Sequence, residues 1–300
     1  MTDRTVEGQP SALPTMLKAA LPALPGVNLL PGVAKKGGGT LPELTLHRRS
    51  VRVDADHVAA YARVCGFEPS QSLPFTYPHM LAFPLHMGIM TDGSFPFPAV
   101  GTVHVRNAIT RHRPITAAEE LDVSATAVHL RPHPKGRVFD LVTTVTAAGK
   151  PSGEPSGEPI WESTSTYLRV GRGDGDVLPD SDPFDVVAGT GTVWSLPGNL
   201  GRRYAAVSGD HNPIHLYPLS ARAFGFKRQI AHGMWTKARS VAAFANRLPD
   251  AATVEVEFKK PVFLPGRVAF GSRRADDGLD FSLTRPADGA PHLVGRARPA

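Results

Sequence analysis

One short pattern occurs twice along the chain, and it constrains the fold more than any other feature. Tyr61-Ala62-Arg63-Val64-Cys65-Gly66 returns as Tyr204-Ala205-Ala206-Val207-Ser208-Gly209. Thr102-Val103-His104-Val105, leading to His112-Arg113-Pro114, returns as Thr253-Val254-Glu255-Val256, leading to Lys259-Lys260-Pro261. The first pair is offset by 143 residues (61 to 204) and the second by 151 (102 to 253), so the order is kept with a small insertion in the later copy. Repeats in the same order mark a tandem duplication. A chain of 300 residues is long enough for two domains of ordinary size.

Each copy follows one plan. A helix ends at the glycine of Tyr-Ala-x-Val-x-Gly, and an irregular stretch follows. A longer helix comes next, Tyr77–Met90 in the first copy and Gly233–Arg247 in the second. Pro84 predicts a kink or an early end in the first of these, because its ring removes a donor and clashes with the preceding turn. Strands with period-two alternation come after, Val103/Val105, Val123/Ala125/Ala127 and Leu141/Thr143/Val145, then Val254/Val256/Phe258, Val268/Phe270 and Phe281/Leu283. A helix followed by antiparallel strands is an α+β arrangement, with the helix lying on the sheet.

The expected division is an irregular arm over 1–40, an N-terminal domain over 41–170, a linker over 171–190 and a C-terminal domain over 191–300. The arm holds a short helical stretch at Leu17–Leu24 among Pro22, Pro25, Pro31 and the Gly37–Gly39 run. Five aspartates among Gly and Pro mark the linker. The tandem Pro-Ser-Gly-Glu of 151–159 reads as a hairpin loop between strands at Val138–Thr146 and Ile160–Val170.

Composition removes whole classes of function. With 41% hydrophobic residues, general disorder is excluded. Cys65 is the one cysteine, so there is no disulfide framework and no multi-cysteine zinc site. No apolar stretch approaches the length of a spanning helix, and the first residues lack a signal peptide's layout, so a cytoplasmic protein with no membrane span is expected. The net charge of +6 is spread out, with no Lys/Arg run of the kind that binds nucleic acid. An anionic ligand or an acidic carrier protein fits that excess better.

The densest group of functional side chains is Gly209-Asp210-His211-Asn212-Pro213-Ile214-His215. His211 and His215 stand four apart, as metal ligands do on one helix face, but Pro213 between them breaks a helix and Asn follows His211 where a zinc protease needs Glu. No metal is expected. Ser, Asp and Asn beside Gly and Pro also suit a capped turn, a reading that leaves His215 unused. The third reading is an acid–base pair, Asp210 and His215, brought to one water by a bend at Gly209 and Pro213. No Ser or Cys stands in a nucleophile elbow, which favours attack by water over a covalent intermediate.

Tyr204 to Leu216 closely resembles the signature of the MaoC-like dehydratases, the (R)-specific enoyl-CoA hydratase family. Ile230-Ala231-His232-Gly233-Met234-Trp235 and Phe258 to Gly266 resemble its later segments, and nearly the whole chain resembles the two-domain mycobacterial-type (3R)-hydroxyacyl-thioester dehydratases. The resemblance implies a double hot-dog fold, each half a central helix wrapped by an antiparallel sheet. It implies reversible hydration of trans-2-enoyl thioesters to (3R)-3-hydroxyacyl thioesters. Asp210 and His215 would be catalytic and Asn212 and Gly233 substrate-binding, with the Gly233 N–H aimed at the thioester oxygen; His232 is not expected to be catalytic. No cofactor is implied beyond the coenzyme A or acyl carrier protein that bears the substrate. Arg202, Arg203, Lys227, Arg228, Lys259 and Lys260 are the basic positions nearest the carrier. Aligning the repeats puts Phe67, Pro69 and Ser72 opposite Asp210, Asn212 and His215, so the first domain is degenerate. Its role would be to shape the acyl pocket, through Leu81, Phe83, Leu85 and Met87 where these do not simply pack in the core. Monomer and homodimer both suit such a chain. A hot-dog thioesterase and a non-catalytic acyl-thioester-binding subunit are the alternatives.

Overall fold

The structure, a computed structural model, describes residues 2–6, 39–99, 101–149, 157–173, 183–189 and 191–300. Its strands are β1 (Thr2–Thr5), β2 (Leu44–Arg52), β3 (Thr102–Arg111), β4 (Glu120–His133), β5 (Gly136–Ala147), β6 (Trp161–Val170), β7 (Thr192–Leu196), β8 (Ala252–Phe258), β9 (Gly266–Ala275), β10 (Gly278–Thr284) and β11 (Pro291–Pro299). All of them join one 11-stranded sheet in the order β1-β2-β4-β5-β6-β3-β8-β11-β10-β9-β7. The run β2-β4-β5-β6-β3 is repeated by β7-β9-β10-β11-β8, which is the duplication seen in the sequence. The two copies meet where β3 pairs antiparallel with β8, from Arg106 opposite Glu257 to Arg111 opposite Ala252.

The two Tyr-Ala-x-Val-x-Gly segments are equivalent helix ends. Helix α1 (Ala55–Cys65) starts under the Asp54 carboxylate, which accepts from the Asp56 N–H at 2.9 Å, and it stops at Gly66 with φ 78°. Helix α3 (Leu200–Ser208) stops at Gly209 with φ 72°. Glycine is favoured at both stops because the left-handed conformation crowds any β-carbon. Tyr61 and Tyr204 are buried, and their rings lie 6.3 Å apart where the halves meet.

Helices α2 (Pro78–Thr91) and α6 (Gly233–Ala242) are the central helices of the two halves. The expected interruption at Pro84 does not occur, and α2 runs through it. Proline frees carbonyls one turn back. In the turn before the proline, the buried Arg48 of β2 donates to Leu81 O at 2.8 Å. The second helix is shorter than its sequence suggests, ending at Ala242 before a separate turn at Ala245–Arg247.

Period-two alternation places Leu121, Val123, Ala125 and Ala127 of β4, and Ala252, Val254 and Val256 of β8, in the core. The hairpin expected between β5 and β6 is present, although 150–156 lie outside the described residues. The helical stretch at Leu17–Leu24 and residues 174–182 of the linker also lie outside them. Within the expected irregular arm, Thr2–Thr5 are a strand, parallel to β2. Among the described residues no helix is long and apolar enough to cross a membrane.

A buried polar network crosses the seam. Lys237 of α6 has no exposed surface. Its ammonium donates to the Asn107 carbonyl and side-chain oxygens on β3 and to Val254 O on β8, the last at 2.8 Å. The Asn107 amide nitrogen donates in turn to the Ser163 and Ser165 hydroxyls, each at 3.0 Å. One side chain thus ties the central helix of one half to the edge strand of the other.

Two buried histidines of α2, His79 and His86, and the half-buried His104 of β3 make the fold sensitive to acid. Burial pushes His86 down to about 4 and His104 down to about 3, and it lowers His79 as well. An unfolded histidine titrates near 6.5. As pH falls below that value the unfolded chain takes up protons first, so this stability is complete above ~6.5 and is lost on the way down to the folded values. His86 alone accounts for roughly 3 kcal/mol across that window. The urea midpoint is expected to fall steadily between pH 7 and pH 5, above the range of carboxylate titration. An unchanged midpoint at pH 5 would contradict the burial of these rings.

Candidate active site

Gly209 turns the chain out of α3 and into the Asp-x-Asn-Pro-x-His segment. The Asp210 N–H donates to the Ser208 hydroxyl at 3.1 Å, and the Asp210 carboxylate accepts from the Asn212 N–H at 3.1 Å. Asn212 caps the short helix α4 (Pro213–Leu216), its side-chain oxygen accepting from the Ile214 N–H, and α5 (Pro218–Ala223) follows. The turn reading of Asp210 and Asn212 is therefore correct as far as it goes. It does not account for His215, which the one turn of α4 carries back toward Asp210. His215 is buried, and its Nδ1–H donates to Ile230 O at 2.9 Å. That bond fixes the tautomer and leaves the Nε2 lone pair free for a ligand. Burial holds the imidazole below its ordinary pKa, against the opposing pull of the Asp210 charge, so the resting ring is a neutral acceptor.

His232, expected to be only structural, touches both members of the pair. Its Nε2 lies 2.9 Å from the Asp210 carbonyl and 3.8 Å from the Asp210 carboxylate. Its ring stacks on His215 with centroids 3.8 Å apart. Burial and the neighbouring His215 push its pKa well down, so the stacked rings are both neutral. Nothing in the segment Ala231-His232-Gly233 forecasts this, because the contact joins residues 22 positions apart.

Asp210, His215 and His232 bring three ligand-type atoms within 4.8 Å of one another. Yet the His232 nitrogen nearest the carboxylate is spent as a donor to Asp210 O, and His215 Nδ1 is spent on Ile230 O. The arrangement suits a water or a substrate oxygen better than a cation, which needs lone pairs from both rings. The alternative pair of His211 and His215 does not share a helix, since α4 begins at Pro213.

Gly233 is the first residue of α6, and its N–H bonds to no described residue. An unpaired N–H at a helix start is a ready donor to a developing oxyanion. A β-carbon at this position would stand 3.2 Å from the Phe258 ring, so glycine keeps the approach open. Asp210, Asn212, His215, His232 and Gly233 all line one cavity of about 220 Å³.

The cavity runs between the halves. From the N-terminal half it takes His79, Met80, Phe83, Met87 and Met90 of α2, together with His104 and Tyr167. Of the four residues expected to line it, Phe83 and Met87 do so, while Leu81 and Leu85 are core. Lys259 and Lys260 line it also and are exposed, and Lys259 is ion-paired with Glu257. Arg202 instead lies over the Tyr217 ring and Arg228 over the Phe263 ring.

Two repeated helix-and-sheet halves enclosing an Asp/His chamber define a double hot-dog chain of the MaoC type, and residues 199–278 match the MaoC like domain. The 3-hydroxyacyl-thioester dehydratase X of Mycobacterium tuberculosis is 37% identical over 292 residues, covering 97% of this chain and 99% of the relative. A crystal structure of that mycobacterial protein superposes with a TM-score of 0.73 at 36% identity, covering 85% of this chain and 100% of the other. The (R)-specific enoyl-CoA hydratase of Aeromonas caviae is 35% identical over 69 residues, covering 22% of this chain and 52% of the relative. The chain belongs to the MaoC-like dehydratase family.

Proposed function

We propose that the protein is a hydro-lyase that adds water reversibly across the double bond of trans-2-enoyl thioesters to give (3R)-3-hydroxyacyl thioesters. The observation that carries this reading is the meeting of Asp210, His215 and the free N–H of Gly233 in one cavity. Neutral His215 accepts one O–H of a water at Nε2 and so orients it. Asp210 takes a proton as the water oxygen bonds to C3. Charge then develops on the thioester oxygen, where the Gly233 N–H stabilises it. The proton is returned to C2 through the pair, so one water is consumed and the site ends as it began. Asn212 holds the loop and presents its side chain to the substrate. The N-terminal half, with Phe67 and Ser72 in place of an acid and a base, walls the acyl chain with Phe83, Met87 and Met90.

The carrier, coenzyme A or acyl carrier protein, brings phosphates to the mouth, where Lys260 and Lys259 supply positive charge. Loss of enoyl absorbance on mixing with trans-2-enoyl-CoA of graded chain length, and formation of the (3R) alcohol without thiol release, is the expected result. Stoichiometric thiol release would make the protein a thioesterase. Binding without turnover of either carrier form would make it a binding subunit.

A further inference from the structure

The half that lacks an acid and a base still places polar groups in the chamber, Tyr167 among them. A row of three rings crosses the seam next to Gly233. Phe258 of β8 lies beside the glycine. His104 of β3 lies 5.0 Å from Phe258, and Tyr167 of β6 stacks on His104 with centroids 4.5 Å apart and planes within 16°. Phe139 of β5 holds the far face of the tyrosine, with centroids 5.7 Å apart and planes within 19°. All three members of the row line the cavity that contains Asp210 and His215.

Tyr167 is 9% exposed and clamped on both faces, so the direction of its C–O bond is fixed by packing. Buried tyrosines nearly always find a partner for the hydroxyl. This one has no hydrogen bond to any described residue, and its oxygen is not among the occluded unpaired atoms of the fold. It therefore faces the open chamber. Burial, and after it the Asp210 charge, raises its pKa, which keeps the O–H a donor across the working pH range.

We propose that Tyr167 is a substrate-binding residue, its O–H donating a hydrogen bond to the oxygen carried at C3. The assignment rests on the reading of Asp210 and His215 given above. Gly233 serves the oxygen at C1, and the oxygen that meets Asp210 is the one that joins C3. The tyrosine hydroxyl opens into the same cavity as Asp210 and meets that oxygen as a donor where Asp210 is an acceptor. The duplicated half thus contributes to recognition of the hydroxylated carbon as well as to the walls.

The test compares two ligands of the chain length that the unaltered enzyme turns over fastest, a (3R)-3-hydroxyacyl-CoA and the saturated acyl-CoA lacking the oxygen. Dissociation constants are measured by calorimetry in an Asp210→Asn background, with and without Tyr167→Phe, which keeps both ring stacks. Tyr167→Phe is expected to weaken the hydroxyacyl ligand about three- to tenfold, the scale of one hydrogen bond, and to leave the saturated ligand within about twofold. Equal effects on the two ligands, or no effect on either, overturn the assignment. If the unaltered enzyme turns over no enoyl thioester, the hydro-lyase reading fails first and the assignment fails with it.

Discussion

Asp210→Asn lowers kcat for enoyl-thioester hydration by about 10²- to 10⁴-fold, the usual contribution of a positioned general base. Asparagine keeps the shape of the side chain and an oxygen at the position that accepts from the Asn212 N–H, so the loop between Gly209 and Pro213 holds its course. The substitution removes the negative charge and the site for the proton taken from water. Dissociation constants for a saturated acyl-CoA should stay within severalfold, which separates loss of chemistry from loss of binding. A kcat within tenfold of the unaltered enzyme would remove Asp210 from the reaction and return the segment to a capped turn.

The second large effect is on stability. Asn107→Leu strands the Lys237 ammonium, which then keeps Val254 O and the Asn107 backbone carbonyl but loses its side-chain acceptor. The Ser163 and Ser165 hydroxyls lose their donor in the same change. Burial already holds the Lys237 pKa well below its ordinary value, and taking one acceptor from so buried a donor costs about 1–3 kcal/mol. Denaturant unfolding is expected to show that loss with little change in slope. A second substitution, Lys237→Met, made together with Asn107→Leu should recover part of it, since an apolar pair leaves no buried charge. A stability change below about 1 kcal/mol in the single variant would show that water reaches Lys237.

The duplication, the alternating strands and the glycine stops at Gly66 and Gly209 were legible in the sequence because each is a local regularity. So was the grouping of Asp210 and His215, which stand within six residues and line one cavity. What escaped is what the sheet assembles. Lys237 on a helix reads as a solvated charge, and only the pairing of β3 with β8 places acceptors beneath it. Tyr167 stands 43 residues before Asp210 and in the other half, so no spacing rule connects the two. His232 reads as a helix start until its ring is seen on His215. Pro84 reads as a kink or an early end, yet α2 runs through it, and what meets that stretch of helix is Arg48 of β2, which donates to Leu81 O from 33 residues away.

The β3–β8 junction also frees the enzyme from mass action. Both walls of the chamber belong to one polypeptide, so dilution cannot separate the wall that carries Asp210 from the wall that carries Tyr167. A chamber assembled from two copies of a single half would lose activity as subunits dissociate. Fusion also releases the halves from identity, since a substitution on one side of the junction is not imposed on the other. Asp210 and His215 can persist where their counterparts are Phe67 and Ser72, and a tyrosine can be placed on the far wall once.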